Sequence, residues 1–409
     1  MHSALFQWAY KSVNCGKIDM KIGIICYPTY GGSGVVATEL GKALAENGHQ
    51  VHFITYSQPF RLSYFTENIF FHEVTVSDYP LFEHQPYESA LASKIVDVVK
   101  FEKLDLLHVH YAIPHASAAL MARNILSAQG IYIPFITTLH GTDITLVGRD
   151  PSFLPVIRHS LEESNAVTSV SASLKKETEM IFAIQKEIEV IPNFITVREY
   201  KCDEARCQRK RYAPNGEHLL IHVSNFRKVK RVDDVLRVFE KVRKEVACKL
   251  ILVGDGPERS NIEKLCRELQ TCGDIISLGN IVNPNEVLAL SDLFLLPSET
   301  ESFGLAALEA MALRVPVISS NTGGLPELNV EGESGFLFEV GDVEGMAGKC
   351  VEILKNPGLL GRLREGAYNR AMGFDTGKVL GMYLELYDVV LKAAVEDGSA
   401  QIEKSFRGK

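Results

Sequence analysis

KIGIICYP, TYGGSG, VVATELGKALAENG and HQVHFIT follow one another without a break through residues 21–55. An apolar run, a glycine-rich turn, an amphipathic stretch closing on Asn47-Gly48 and a second apolar run predict strand, turn, helix and strand. That is the opening of a doubly wound α/β sheet. Further strands are expected at LLHVH (106–110), FITTLH (135–140) and AVTSVS (166–171), with helix-length segments between them. The pattern breaks near Val190-Ile191-Pro192-Asn193-Phe194, and the charged stretch EYKCDEARCQRKRYAPNGE intervenes. A second series then starts at HLLIHVS (218–224) and continues through KLILVGDG (249–256), DIISLGN (274–280), DLFLLPS (292–298) and VPVISS (315–320). The chain reads as two Rossmann-like α/β domains, 20–197 and 198–375, facing across a cleft between their sheet C-terminal edges. A last helix and tail, 376–409, carries the 3.6-residue apolar face of MYLELYDVVLKAAVEDG and is expected to pack back on the first domain.

Composition bounds the function. At 409 residues, 46% apolar and 23% charged, the chain has the length for two globular cores. No apolar run approaches the roughly 18 residues of a spanning helix. A formal charge of −8 disfavours a general nucleic-acid binder, so any anionic ligand must be held by local cations. The eight cysteines are scattered without C-x-x-C, which fits a reducing cytosol and predicts neither a disulfide framework nor a zinc site. Residues 1–19 lack a basic start, an apolar stretch and a cleavage site, and read as a leader appended before Met20.

Three motifs fall at the expected cleft. TYGGSG places Gly32 and Ser33 at a helix N-terminus, where free N–H groups favour negative charge. Without a full G-x-G-x-x-G, and with no acid ending the second strand, NAD is disfavoured. SNFRKVKR (224–231) sets Arg227, Lys228, Lys230 and Arg231 at a strand end, a cluster suited to a diphosphate, with Lys228 and Arg231 expected to be solvated. In ETESFGLAALEAM (299–311), Glu301 and Glu309 would stand roughly 80° apart on one continuous helix. A strand ending at Pro297 and a TESFG loop remove the difficulty, because Glu301 then precedes the helix and Glu309 lies inside it. Carboxylates accept from sugar hydroxyls, and the N–H groups of Phe303, Gly304 and Leu305 face the same ligand. His108 reads as a core residue and His140, in TLHGTD, as an active-site one. Neither histidine spacing nor a D-x-D supports a metal.

Together these residues resemble the retaining GT-B glycosyltransferases of family 4, over roughly residues 20–375. The likeness rests on the E-x7-E pair Glu301 and Glu309, VGDGPE (253–258), Gly31-Gly32 and MALRVPVISSNTGGLPEL. Within the family, CYPTYGGSGVVATELG, HFITYSQPFRL, HVHYAIPHASAA, LHGTDITLVG and SNFRKVKRV are most similar to members of bacillithiol biosynthesis. The resemblance implies a cytoplasmic enzyme that transfers N-acetylglucosamine from UDP-N-acetylglucosamine to L-malate, without cofactor or metal, and it leaves room for a homodimer. Glu309 would bind ribose and Glu301 the donor sugar, with Phe303 and Gly304 beside it. Gly32 would lie by the β-phosphate and Lys230 would be the phosphate lysine. The family's arginine position holds Asn225, so Asn225 and Arg227 are alternatives for the diphosphate. His140 would touch the donor sugar and Tyr111 the acceptor side.

Retention in this family is explained by front-face attack, in which the departing phosphate oxygen takes the acceptor proton. Malate would need a first-domain cation and neutral donors, for which Arg61, Arg158, Ser33, Tyr111 and Thr142 qualify. An inositol phosphate or lipid-linked sugar acceptor, and an inactive nucleotide-sugar-binding regulator, are the competing readings.

Overall fold

The computed structural model describes residues 19–407 apart from 30, 60, 63–65, 77–83, 201–204 and 282. The leader assigned to residues 1–19 therefore lies, but for Asp19, outside the described residues. Seven parallel strands form the first sheet: β1 (Lys21–Ile25), β2 (Gln50–Thr55), β3 (Ile69–Glu73), β4 (Leu106–His110), β5 (Phe135–Leu139), β6 (Ala166–Ser169) and β7 (Ile188–Val190). Their order is β3-β2-β1-β4-β5-β6-β7. Six more, β8 (His218–Val223), β9 (Cys248–Val253), β10 (Ile275–Gly279), β11 (Leu293–Leu296), β12 (Val317–Ser320) and β13 (Gly335–Phe338), form a second parallel sheet in the order β10-β9-β8-β11-β12-β13. In both sheets the strand order reverses beside the first strand, which places a crevice at the strand C-terminal ends.

The central strands are buried because helices cover both faces: β4, β5, β11 and β12 are buried at every position. Edge strand β3 has only partly buried and exposed residues and lacks that signal. One apolar cluster runs from Ile157 and Leu161 through Ile195 and Val197 to Leu219, Phe294 and Leu308, so the domains share packed surface.

The chain crosses between the domains twice, at adjacent points. Ile195 bridges Asp375, the Thr196 and Thr376 hydroxyls are 2.9 Å apart, and the Val197 N–H donates to the Asp375 carboxylate at 3.1 Å. Beyond this crossing, the helix Thr376–Arg407 lies on the first domain, where Val379, Leu380, Tyr383 and Tyr387 pack with Ile22, Ile24, Leu40 and Phe53. Among the described residues no helix is long and apolar enough to cross a membrane. Cys266 and Cys272, which flank the end of the helix Arg259–Glu268, stand side by side. The tight turn between them brings together two residues whose spacing matched no recognised motif.

Candidate active site

The loops after β1, β4 and β5 build the first-domain wall. Beyond β1 the chain doubles back so tightly that a Cβ on Gly34 would stand 2.5 Å from the Tyr27 carbonyl oxygen and 2.6 Å from that of Thr29. The helix Gly32–Glu46 starts there with no side-chain cap and no acid in its first turn, leaving its N-terminal N–H groups to a ligand. Tyr111, immediately after β4, adopts φ +89°, which turns its ring toward the loop after β5. Its hydroxyl lies 2.6 Å from Thr142 Oγ1 and also shares a hydrogen bond with Ser33. Ser33, Tyr111 and Thr142 are thus brought together from three separate loops. The ring of Tyr111 stacks on His140 at 5.7 Å and meets Tyr27 edge-on at 5.2 Å.

Behind this cluster lies a file of imidazoles. His108 stacks on His110 at 4.5 Å and His110 on His140 at 5.1 Å, with His110 Nδ1 2.8 Å from His140 Nε2. Burial pushes the pKa of both His108 and His140 down to about 3, so the file is neutral at physiological pH. His108 is a satisfied core residue, bonded to Tyr387 at 2.6 Å and to Thr138 at 2.7 Å.

Asp143 fixes the turn that carries His140 and Thr142. Its buried carboxylate accepts the N–H groups of Gly141 at 2.8 Å, Ala112 at 3.2 Å and His140 at 3.3 Å. Burial raises its pKa to about 6, against the lowering effect of those N–H groups. Gly141 has φ +118°, and a Cβ there would fall 1.7 Å from Ser302 Oγ of the opposite domain. Only glycine permits this approach.

The second-domain wall is the turn after β8 and the loop after β11. Lys230 Nζ lies 2.5 Å from Glu301 Oε2, which also accepts from Ser298 Oγ at 3.3 Å. The Glu301 carbonyl accepts from Gly324 N–H at 2.8 Å, and the Glu299 N–H donates to the Val229 carbonyl at 2.8 Å, so both loops are tied by their backbones. Arg231 is held by Asp234 at 2.6 Å, whereas Asn225, Arg227 and Lys228 are exposed. Arg227 lines a cavity of about 310 Å³, and its charge reaches Tyr111 across the cleft. Phe303 is buried edge-on against Phe374 at 5.5 Å, and Gly304, at φ +97°, starts the helix Leu305–Ala312. Leu305 Cδ2 stands 3.8 Å from where a Cβ on Gly32 would be, so the two helix N-termini face each other.

Glu309 is buried, with Oε1 held by two side chains. Its Oε1 is 3.4 Å from Arg61 Nη2 of the first domain and 3.1 Å from the Tyr200 hydroxyl near the crossing. Burial raises its pKa, and Arg61 opposes the rise. Arg61 and Glu309, assigned by sequence to acceptor and donor, therefore meet. Arg158 does not join the cluster. Its helix, Leu154–Glu163, buries Ile157, Ser160 and Leu161, which turns Arg158 outward, where Nη2 lies 3.4 Å from the Ala183 carbonyl oxygen.

Sequence alone gives no role to two residues of the site. Asp143 has a local signal, an acid two residues after a glycine at a strand end, where it can accept backbone N–H groups. Tyr200 has none, because its partner is 109 positions away.

Comparison with known proteins gives one consistent result. The glycosyltransferase family 4 domain matches residues 30–199 and the glycosyl transferases group 1 domain matches residues 204–370. The chain is 49% identical to the N-acetyl-alpha-D-glucosaminyl L-malate synthase of Bacillus anthracis, over 92% of this chain and 98% of that protein. Among solved structures it resembles sucrose-phosphate synthase from Thermosynechococcus elongatus, with a TM-score of 0.75 at 20% identity, covering 91% of this chain and 100% of the other. It resembles Anabaena HepE in complex with UDP to the same TM-score of 0.75 at 18% identity, covering 90% and 100%.

Proposed function

Since the chain belongs to the group 1, family 4 glycosyltransferases of the GT-B fold, we propose that it transfers N-acetylglucosamine from UDP-N-acetylglucosamine to the hydroxyl of L-malate in the cytosol. This is the first step of bacillithiol biosynthesis, and it proceeds with retention at the anomeric carbon. The observation that carries the reading is the 49% identity to an N-acetyl-alpha-D-glucosaminyl L-malate synthase over 92% of this chain, which spans both domains. Malate-dependent release of UDP from UDP-N-acetylglucosamine tests it directly. Release with other hydroxy acids or sugars but not with malate would move the chain to another acceptor.

In the proposed reaction the sugar nucleotide lies along the second-domain wall. Glu309 accepts the ribose hydroxyls, Glu301 accepts a sugar hydroxyl, and the N–H groups at Phe303 to Leu305 face the donor. Malate sits on Ser33, Tyr111 and Thr142, on the side of the anomeric carbon toward the diphosphate. As the glycosidic C–O bond to the phosphate breaks, the departing oxygen accepts the malate hydroxyl proton and the new bond forms on the same face. Arg227, Lys230 and the N-terminus of the helix Gly32–Glu46 stabilise the growing charge, each well-placed donor by about 3–4 kcal/mol. The neutral His140 supplies a polar ring without a competing charge.

Two results are expected. Glu309→Ala weakens binding of UDP itself, whereas Glu301→Ala mainly lowers turnover, because the acids serve different halves of the donor. Losing hydrogen bonds to a charged group costs about 1.5–3 kcal/mol. Calorimetry with UDP on both variants reads the difference, and equal losses of affinity would overturn the division. Secondly, transferase activity persists in EDTA, because protein cations meet the leaving diphosphate. Inactivation by chelator with recovery in Mg²⁺ would sink that assignment.

A further inference from the structure

The stretch MALRVPVISSNTGGLPEL (311–328) contains one acid, Glu327, and the transfer reaction gives it no role. In the structure it reaches the other domain. Its Oε2 accepts the N–H of Ala172 and its Oε1 that of Ser173, both at 2.8 Å, and these are the first two residues of the first-domain helix Ala172–Phe182. One carboxylate of the second domain thus closes a helix N-terminus of the first. The next two N–H groups are met within the first domain: Leu174 donates to the Ser171 hydroxyl and Lys175 to the Ser171 carbonyl, each at 3.1 Å. The helix dipole favours a negative charge at the position Glu327 takes.

On its own side Glu327 is tied to the donor wall. A Cβ on Gly323 would fall 2.1 Å from the Glu301 carbonyl oxygen, and one on Gly324 would fall 2.3 Å from that of Ser302. The turn that carries Glu327 therefore rests directly on the loop that carries Glu301. Arg370 donates to the carbonyl oxygens of Glu327 and, at 2.9 Å, of Leu328, and its guanidinium lies 4.9 Å from the ring centre of Phe374, beside the second crossing at Asp375. Donor loop, acid and crossing form one connected piece. Beneath the contact, Val170 and Leu174 of the first domain share an apolar cluster with Leu325 and Leu328 of the second.

We propose that Glu327 is an interdomain latch, a positioning residue that keeps the two walls together around the sugar nucleotide while touching neither substrate. Two N–H groups on one carboxylate at a helix N-terminus are worth about tenfold in the ratio of closed to open forms. One of the two bonds is exposed and the other part-buried, so water takes both over when the domains part. The latch is therefore releasable. A ligand that spans both walls binds the closed form, and its apparent affinity falls with the closed fraction. The inference rests on the proposed function only in taking the UDP part of the donor as that ligand. Sequence spacing does not show the contact, because its partners lie 155 and 154 positions away.

The test breaks the contact from each side in the full-length protein. Glu327→Ala removes the acceptor, and Ala172→Pro removes one donor at a first helical position that suits proline, after Ser171 with its extended backbone (φ −158°, ψ 157°). Small-angle scattering without ligand should show a larger radius of gyration in both variants, returning to that of the unmodified protein with saturating UDP. Calorimetry should show UDP affinity down about tenfold in Glu327→Ala and about threefold in Ala172→Pro, with the double variant no worse than Glu327→Ala alone. The value of kcat at saturation of both substrates should stay within about threefold, unlike that of a residue acting on the leaving group. An unchanged scattering profile, or losses of UDP affinity that add in the double variant, overturns the proposal. So does a lower melting temperature with UDP affinity intact, which would mark Glu327 as a helix cap only. Scattering needs neither turnover nor ligand, so if the unmodified protein binds no UDP the latch is still decided by it, and the two readings fall separately.

Discussion

Lys230→Ala is expected to lower malate-dependent UDP release by two to three orders of magnitude in kcat. Two effects act together. An ammonium aimed at the charge developing on the leaving diphosphate is worth about 10²–10³ in rate when removed. In addition, Lys230 neutralises Glu301 at 2.5 Å, with the two side chains 20% and 16% exposed. Without it, Glu301 faces the diphosphate as an uncompensated negative charge, so donor binding also falls. The pairing predicts non-additivity. Lys230→Ala combined with Glu301→Gln should recover part of the donor affinity and none of the turnover. Steady-state kinetics with each substrate varied reads both quantities. A loss under tenfold in kcat would mean that the turn after β8 is not where the leaving group is stabilised.

The second large effect concerns Asp143. Asp143→Ala leaves three N–H groups, the buried ones of Ala112 and Gly141 and the part-buried one of His140, without this acceptor. The shortest of them alone is worth about 1–3 kcal/mol, and the set about 3–5 kcal/mol. The melting temperature should fall by about 6–12 °C, and the turn presenting Thr142 to Tyr111 should loosen enough to reduce turnover at least tenfold. The pH dependence has a definite sign. With its folded-state pKa raised to about 6 from 3.8, the folded protein holds the Asp143 proton more tightly than the unfolded chain. That contribution to stability is complete below about pH 4 and is lost as pH rises through about 6. Asp143→Asn removes it. The melting-temperature gap between the unmodified protein and this variant should therefore widen from pH 7 to pH 5. A gap that narrows would show that the three N–H groups outweigh burial and favour the ionised carboxylate.

The fold was largely legible because parallel α/β sheets announce themselves. Strands buried on both faces read as apolar runs, and glycine turns mark where helices begin, as in residues 21–55. The strands that escaped, β3, β7 and β13, are short or lie at sheet edges, where burial on both faces is not required. Residues placed by a strand end, such as Ser33, Tyr111 and Thr142, could be named from sequence, because a strand C-terminus in this architecture can open only on the crevice. Side chains whose position depends on how the domains dock could not. Arg61 and Glu309 are 248 residues apart, and nothing local distinguishes an arginine bound for a substrate from one that pairs with a glutamate of the other domain. Arg158 illustrates a third case, in which a helix was anticipated but its rotation was not. Burying Ile157 and Leu161 sends the guanidinium to the outside.

The helix that closes the first domain has a consequence for the order in which the protein is made. Tyr383 and Tyr387, each fully buried among Ile22, Leu40 and Phe53, leave the ribosome only after the whole second domain. The N-terminal half emerges first with that apolar face bare and with His108 lacking its tyrosine hydroxyl, and it must wait for the whole second domain to be translated. Domains of multidomain chains are generally finished in the order of synthesis. Here the first domain to begin is completed only after the second, and a nascent chain stalled before residue 376 leaves the apolar face of Ile22, Ile24, Leu40 and Phe53 uncovered.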